Sequence, residues 1–488
     1  MSFPISPGVN VREIDLTTGT PVISTSIGAM VGQFTWGPVD ERTLVVSEVD
    51  LRNNFQKPND SNFAHYYTAA NFLSYSNNLR VVRVTDDDTA LNSTTDGVGK
   101  LVKNATDYVS MDPDQGGAVD STANRFWMAK YPGSLGNSLG VSYCPADKPG
   151  GELSGTLSIT ALDITGVGTL FSEELTVGDT ITEPGGNTYI IASVISDTVA
   201  TVMYANGDIV GATTQRETYS SFESSGSGTI SLTANSLEVI GSGTNFAGDI
   251  VPGDVILVGA NTAEVTAVTN ATHMTVNVPI SANAVPSGTE YTRRWKFSLS
   301  FDAAPGTSPY AETANGANDE IHVVVYDYRA DWSGVEDEIM EVYENMSVAK
   351  DAKSPEGASI YYKTRVNNLS GFIQFVKHPT LADTGADGDW GKQARDRSFT
   401  LLRGTQYFEM TGGSDGNDVS LGDLQMGWDL FNDVNAVTVS ILAMGKAPEG
   451  DGPALANYVI NIAETRKDAV ACISPEFGDV VMQPGYEV

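Results

Sequence analysis

A chain of 488 residues is long enough for about three domains at ~150 residues each, so core size is not limiting. Its 61 acidic against 28 basic residues give a net charge of −33, which repels phosphate backbones and argues against a nucleic-acid partner. No apolar run approaches the ~18 to 20 residues that cross a bilayer, and the start "MSFPISPGVNV" has neither region of a secretory signal, so a chain made and kept in soluble form, with no membrane partner, is expected.

The first element is "SPGVNVREIDLTTG", residues 6 to 19, a short alternating strand around Val9 and Val11 that runs into a polar segment with nothing nearby to pair against. A lone strand leaves its N–H and C=O groups without partners, so this one needs a sheet elsewhere. Next, "ISTSIGAMVGQFTWGPVDERTLVVSEVDL" has strand-like runs broken by a turn at Gly37 and Pro38. Phe63, Tyr67, Ala70 and Leu73 fall close to helical spacing, and "LRVVRVTDD" is a compact strand. Strand, helix and strand in that order argue for an α/β layer.

From about residue 146 to 295 the chain turns Thr-, Gly- and Val-rich, loses helical periodicity and repeats itself. "GVGTLFSEELTVGDTI" from Gly166 and "GSGTNFAGDIVPGDVI" from Gly241 share Gly166/Gly241, Gly168/Gly243, Thr169/Thr244, Phe171/Phe246, Gly178/Gly253, Asp179/Asp254 and Ile181/Ile256 in one register. Two small β-modules in tandem are expected, each its own barrel or sandwich, at about 155–220 and 228–290. Their flanks, "NRFWMAKYPGSLGNSLGVSYC" and "RRWKFSLSFDAAPG", read as strands, so the block looks inserted between strands of another domain and turned outward as a decoration. A spacer role is the preferred reading, adhesion to glycans the other.

Beyond residue 318, "DEIHVVVYDY" reads as a strand, and Val335, Ile339, Val342 and Met346 as one face of a helix. Leu421, Leu424, Trp428 and Phe431 mark a helix, then "AVTVSILAMG" a strand, Leu455, Val459 and Ile462 a helix, and "DAVACISP" a strand. The fold class expected is α+β or α/β multidomain, a mixed α/β core with an inserted all-β region. The expected partition is an extended arm over 1–20, a split α/β domain over 21–145 plus 296–400, the β insertion over 146–295, and the start of a further α/β domain over 401–488 that the chain leaves incomplete.

Residue chemistry points away from catalysis. "GGSDG", Gly412 to Gly416, fits the G-x-S-x-G pattern of a nucleophile elbow, but that fold places its histidine after the serine, and His65, His273, His322 and His378 all precede Ser414. A glycine turn entering the helix at Leu421 is the better reading. No P-loop spacing occurs. Asp86, Asp87 and Asp88, and Asp383, Asp387 and Asp389, read as solvated loop charge rather than a cation site, and the histidines lack metal-ligand spacing. Cys144 and Cys472 match no paired motif and are expected to be buried thiols. Asn92 and Asn104 begin glycosylation sequons that are moot without secretion. The expectation is no enzyme, no cofactor and no metal.

Four stretches, in order, resemble contractile phage tail sheath proteins of the large tailed myovirus type. They are "SPGVNVREID" with "GAMVGQFTWGPVDERTLVVSEVDLRNNFQKP", then "YPGSLGNSLGVS", "MSVAKDAKSPEGASIYYKTRVNNLSGFI", and "TGGSDGNDVSLGDLQMGWDLFND". The resemblance implies a structural subunit of a virion tail, assembled in the host bacterial cytoplasm. Six-membered rings of such subunits stack around a tail tube protein, between baseplate and tail terminator proteins. It also implies an arm that adds a strand to a neighbouring subunit, placing Ser6, Pro7, Gly8, Val9, Val11, Glu13 and Ile14 in a subunit contact. The family has a further C-terminal region, so a truncated chain is expected. A baseplate or terminator component, or the sheath of a phage-like injection machine, is the alternative.

Overall fold

Gly28–Gly32 draws the two ends of the chain into one sheet, because it pairs in parallel with Leu79–Arg83 on one side and with Ile441–Ala443 on the other. The computed structural model describes residues 27–112, 125–147, 151–175, 179–203, 206–216, 220–379, 390–402 and 404–475. They fall into two units, one built from residues 1–88 and 416–488, the other from 89–415.

In the first unit the strand order is Arg42–Val45, Leu79–Arg83, Gly28–Gly32, Ile441–Ala443, Val470–Cys472, with only the Arg42 strand antiparallel. Successive residues point to opposite faces. Met30 and Val81 join Leu51, Phe55, Tyr66 and Ala69, whereas Ala29, Val31 and Val82 join Leu424, Trp428, Leu455 and Val459. Helices Glu48–Phe55 and Phe63–Leu73 therefore cover one face, and Leu421–Asp429 and Gly452–Arg466 the other. This is how a mostly parallel sheet avoids exposing apolar surface. Side chains fix where the helices start: Ser47 accepts from the Asp50 N–H, and Ser420 with Asp423 forms a capping box.

The expected partition is corrected here. Residues 401–488 do not start a separate domain, and 21–145 is not one block, because 27–88 shares its sheet with 441–472. Pairing across more than 400 residues leaves no trace in local periodicity.

Helix Phe63–Leu73 also turns a different face inward than its apolar spacing implies. His65, Tyr66, Ala69 and Ala70 are buried, while Phe63 and Tyr67 are exposed. The sheet dictates this. A Cβ at Gly28 would lie 2.5 Å from the Phe72 ring, and one at Gly32 would lie 2.7 Å from the His65 ring, so both rings lie where a side chain would stand.

In the second unit an antiparallel sheet runs Glu338–Ser347, Glu320–Asp327, Leu139–Pro145, Gln406–Glu409. The helix expected through Val335, Ile339, Val342 and Met346 is instead this sheet's first strand. The pairing shifts register between Ile321/Met346 and Val323/Tyr343, and Asn345 within that bulge has φ 47°. A bulge adds a residue to one strand, so the buried positions Tyr343 and Met346 stand three apart instead of two or four. Val335 and Val342 are exposed.

Between Pro145 and Glu320 the chain makes two eight-stranded sheets. The first runs Ile209–Ala212, Thr156–Thr160, Asp163–Val167, Val199–Val202, Thr188–Ser196, Thr180–Thr182, Gln215–Arg216, Gly151–Glu152. The second repeats that order with Val285–Thr289, Thr229–Leu232, Glu238–Ser242, His273–Val276, Asn261–Asn270, Val255–Val258, Thr292–Arg294, Glu223–Ser225. Phe171 and Phe246 are buried at the start of equivalent four-residue helices, and the Thr169 and Thr244 hydroxyls donate to the Asp197 and Ala271 carbonyls at 2.6 and 2.8 Å. Gly168 and Gly243 have φ of 69° and 67°, a conformation that favours glycine. Arg293 and Arg294 lie in the second of these sheets, so "RRWKF" is not the flanking strand expected; Glu320–Asp327 is.

Burial pushes the His65 imidazole down to about 4 from its ordinary 6.5. The unfolded chain therefore takes up a proton near pH 6.5 that the folded chain refuses until about pH 4. Stability from neutral His65 is present above about pH 6.5 and is lost as pH falls toward 4, on the order of 3 kcal/mol in all. Urea titrations from pH 7 to 4 will show a shallower acid loss in His65→Gln than in the parent.

Candidate assembly surfaces and the module joint

Among the described residues, Val470–Cys472 is the outer strand of the first unit's sheet and is paired on one side only, with Ile441–Ala443. Val470 is 66% exposed and Ile473 38%, an apolar border along an open row of backbone donors and acceptors. Cys472 lies in this strand with its thiol exposed, which corrects the expectation of two buried thiols. Only Cys144 is buried, and burial raises its thiol well above the ordinary range.

The second β-module meets the antiparallel sheet through a buried charge pair. Arg293 Nε donates to Asp254 Oδ2 at 2.8 Å, and both side chains are fully buried. The rest of the guanidinium is met by the Ser220 and Ser221 carbonyls at 3.0 and 2.7 Å and by Thr405 Oγ1 at 3.3 Å. Asp254 Oδ1 accepts from Thr405 at 2.6 Å and from the Tyr407 hydroxyl at 3.1 Å, and Oδ2 accepts from the Val251 N–H at 2.9 Å. Burial, with the Asp254 charge beside it, raises the Tyr407 phenol well above its ordinary range. Beside the pair, Trp295 is buried against Phe297 and Phe301 and donates to Ser142 Oγ at 2.8 Å. Lys296 bridges Glu264 of the module at 2.9 Å and Asp337 of the neighbouring loop at 2.5 Å.

Such a pair is held by geometry rather than by net attraction, because two desolvated charges cost as much as they return unless every lone pair is met. Here several are met. The repeat pattern singles out Asp254, but not this role. Its partners Thr405 and Tyr407 lie 151 and 153 residues away.

The other sequence candidates fall apart in space. Ser414 pairs with Leu91 in a two-residue ladder, and Ser420, not the glycine run, caps the following helix. His65 faces the Lys446 carbonyl, His273 faces Thr272 and Asn270, His322 lies between the Ala303 carbonyl and the Asn345 N–H, and His378 lies against Tyr361 and Tyr362. Asp86 accepts from Asn417 and from the Asp88 N–H. Asn92 is buried and bonds Val102 and Ala129, while Asn104 caps a helix. Among the described residues no group of three His, Cys, Asp or Glu is placed to hold a metal ion, and no helix is long and apolar enough to cross a membrane. Asp383, Asp387 and Asp389, and the arm residues Ser6, Pro7, Gly8, Val9, Val11, Glu13 and Ile14, lie outside the described residues.

Removing one member of the joint strands the other. Arg293→Met will cost about 3–5 kcal/mol by leaving the Asp254 carboxylate buried and unpaired, and adding Asp254→Leu will recover much of that loss. Urea melts of the two single variants and the double variant measure it.

No family model matches the chain. The tail sheath protein of Vibrio phage KVP40 is 47% identical over 90 residues, 18% of this chain and 13% of that protein. That of Salmonella phage ViI is 37% identical over 145 residues, 29% and 22% of the two chains, and that of Enterobacteria phage T4 is 42% identical over 89 residues, 18% and 14%. The matches span less than a quarter of these relatives' lengths. Solved sheath tail proteins from Listeria innocua and Desulfitobacterium hafniense align at 13% and 11% identity, over 38% and 44% of this chain and 32% and 37% of theirs. Their TM-scores are 0.16 and 0.15, too low to speak to the fold. Over the stretches matched by the three phage proteins, this chain is a relative of phage tail sheath proteins.

Proposed function

We propose that the chain is a structural subunit of a contractile phage tail sheath, without catalytic chemistry, which stacks in six-membered rings around the tail tube between baseplate and terminator. The observation that carries this reading is the similarity to tail sheath proteins of three phages at 37–47% identity.

Residues Ser6, Pro7, Gly8, Val9, Val11, Glu13 and Ile14 serve as an arm that adds a strand to a sheet of a neighbouring copy. The exposed edge Val470–Cys472 supports this, since a strand laid along it meets the backbone groups left open there and an apolar border at Val470 and Ile473. Arms that stay paired while the folded bodies rotate allow a lattice to shorten without dissociating. Contraction is then a change between two packings of the same subunits. The two β-modules are an insertion that thickens the subunit on its outer side; the pairing of the strands on either side of them, Leu139–Pro145 and Glu320–Asp327, supports the insertion.

Immunogold electron microscopy of purified particles, with an antibody raised against residues 155 to 278, tests the reading. Gold along the whole tail shaft is the expected result. Gold confined to one end of the tail would assign the protein to the baseplate or terminator instead.

A further inference from the structure

His322 stands in the middle of the aromatic half of the module joint. It lies fully buried on strand Glu320–Asp327, opposite Cys144 of Leu139–Pro145. Its imidazole stacks on Phe301 at a centroid distance of 4.2 Å and an interplanar angle of 10°, with Trp295 at 6.4 Å and Phe222 edge to face at 6.3 Å. Phe222 leads into the first strand of the second β-module, and Trp295 and Phe301 follow its last. The ring is therefore covered by the two ends of the module. Both of its nitrogens are committed. Nε2 donates to the Ala303 carbonyl at 2.8 Å, and Nδ1 accepts at 3.1 Å from the N–H of Asn345, the residue with φ 47° in the bulge. A backbone N–H can only donate, so Nδ1 carries its lone pair and the ring is neutral. A proton on Nδ1 would set one N–H against another.

We infer that His322 is an acid-sensitive latch, holding the second β-module against the antiparallel sheet while its ring is neutral and releasing the module's two ends when the ring takes a proton. The strand cannot carry the charge out to water, because it is paired on both sides, with Leu139–Pro145 and with Glu338–Ser347. The cover must lift instead, since a buried imidazolium needs water or a carboxylate. Among the described residues no carboxylate is bonded to the ring. Glu320 of its own strand accepts from the Gly306 N–H at 3.0 Å, and Arg293 and Lys296 of the module are paired with Asp254 and with Glu264 and Asp337. Glu223, Asp302 and Glu344, next in sequence to Phe222, Phe301 and Asn345, are exposed, and Cys144 carries a thiol that burial raises. Burial also lowers the His322 imidazole, opposed by its bond to the Ala303 carbonyl. Once uncovered, the ring takes up a proton near the ordinary 6.5. The closed joint is thus fully stabilised above that pH and loses stability below it, by up to about tenfold per pH unit until the covered ring itself is protonated. The latch is a property of the folded chain and does not depend on the sheath reading.

Hydrogen exchange of the full chain at about pH 7.5 and about pH 5, read by mass spectrometry and corrected for intrinsic exchange rates, is the test. In the parent, residues 220–226 and 293–303 will open up to about 30-fold more often at the lower pH. Thr188–Ser196 of the first module, which contains no histidine, will keep its protection. His322→Gln retains a donor and an acceptor but takes no proton, so its joint will open equally often at the two pH values. Exchange at the histidine C2 position titrates each imidazole in the parent without any variant, and will give His322 a midpoint below 6.5. A parent joint equally protected at both pH values, a glutamine variant that opens as steeply in acid as the parent, a C2 midpoint at or above 6.5, or a loss of protection shared equally by Thr188–Ser196 would each overturn the inference.

Discussion

The strand Leu139–Pro145 is the seam on which the second unit depends. All seven of its residues are buried, and it is hydrogen-bonded on one side to Glu320–Asp327 and on the other to Gln406–Glu409. Each partner lies more than 170 residues away in sequence, yet closing a longer loop costs only slightly more than closing a short one. The sheet can therefore tolerate an excursion of two whole β-modules between neighbouring strands. One side chain ties the parts together: the Ser142 hydroxyl donates to the Gln406 carbonyl at 2.8 Å and accepts from the Trp295 indole at 2.8 Å. At the strand's beginning, Ser138 donates to Asp327 at 2.5 Å, and Asp327 accepts from the Trp332 and Ser333 N–H groups at 3.0 and 2.8 Å. The register is thus pinned at one end by a buried carboxylate and continues to the module joint at the other.

Much of the local structure was legible because burial imposes a period. Leu424, Trp428 and Phe431, and Leu455, Val459 and Ile462, are spaced as helices and are buried. The repeat was legible for a different reason: equivalent folds need the same residue at the same tight place, as Phe171 and Phe246 or Ile181 and Ile256 in their module cores. Periodicity failed where geometry departs from the ideal. Of Val335, Ile339, Val342 and Met346, whose spacing is that of a helix, only Met346 is buried, so that spacing did not report burial. Two glycines decided which side of Phe63–Leu73 faces the sheet, so of the expected stripe Phe63 and Tyr67 stand outside while Ala70 is buried and Leu73 packs partly against the core.

What the sequence hides altogether is distance. The parallel pairing of Gly28–Gly32 with Ile441–Ala443 and the meeting of Asp254 with Tyr407 both depend on topology, which no window of residues contains. The candidate assembly surfaces were legible in one half only. Residues 6 to 19 read in the sequence as a lone alternating strand, while the edge at Val470–Cys472, unpaired among the described residues, follows from the order of strands in the sheet.

On the proposed reading, the subunit works by satisfying backbone and apolar groups across copies, so that reading stands or falls on what lies beside that edge. The most direct measurement is a high-resolution electron-microscopic reconstruction of the assembled tail, traced at Val470–Cys472. The account predicts a strand formed by residues 6 to 14 of another copy, hydrogen-bonded along this edge with Val9 and Val11 against its apolar border. An edge left open to solvent, with residues 6 to 14 paired inside their own subunit, would contradict it.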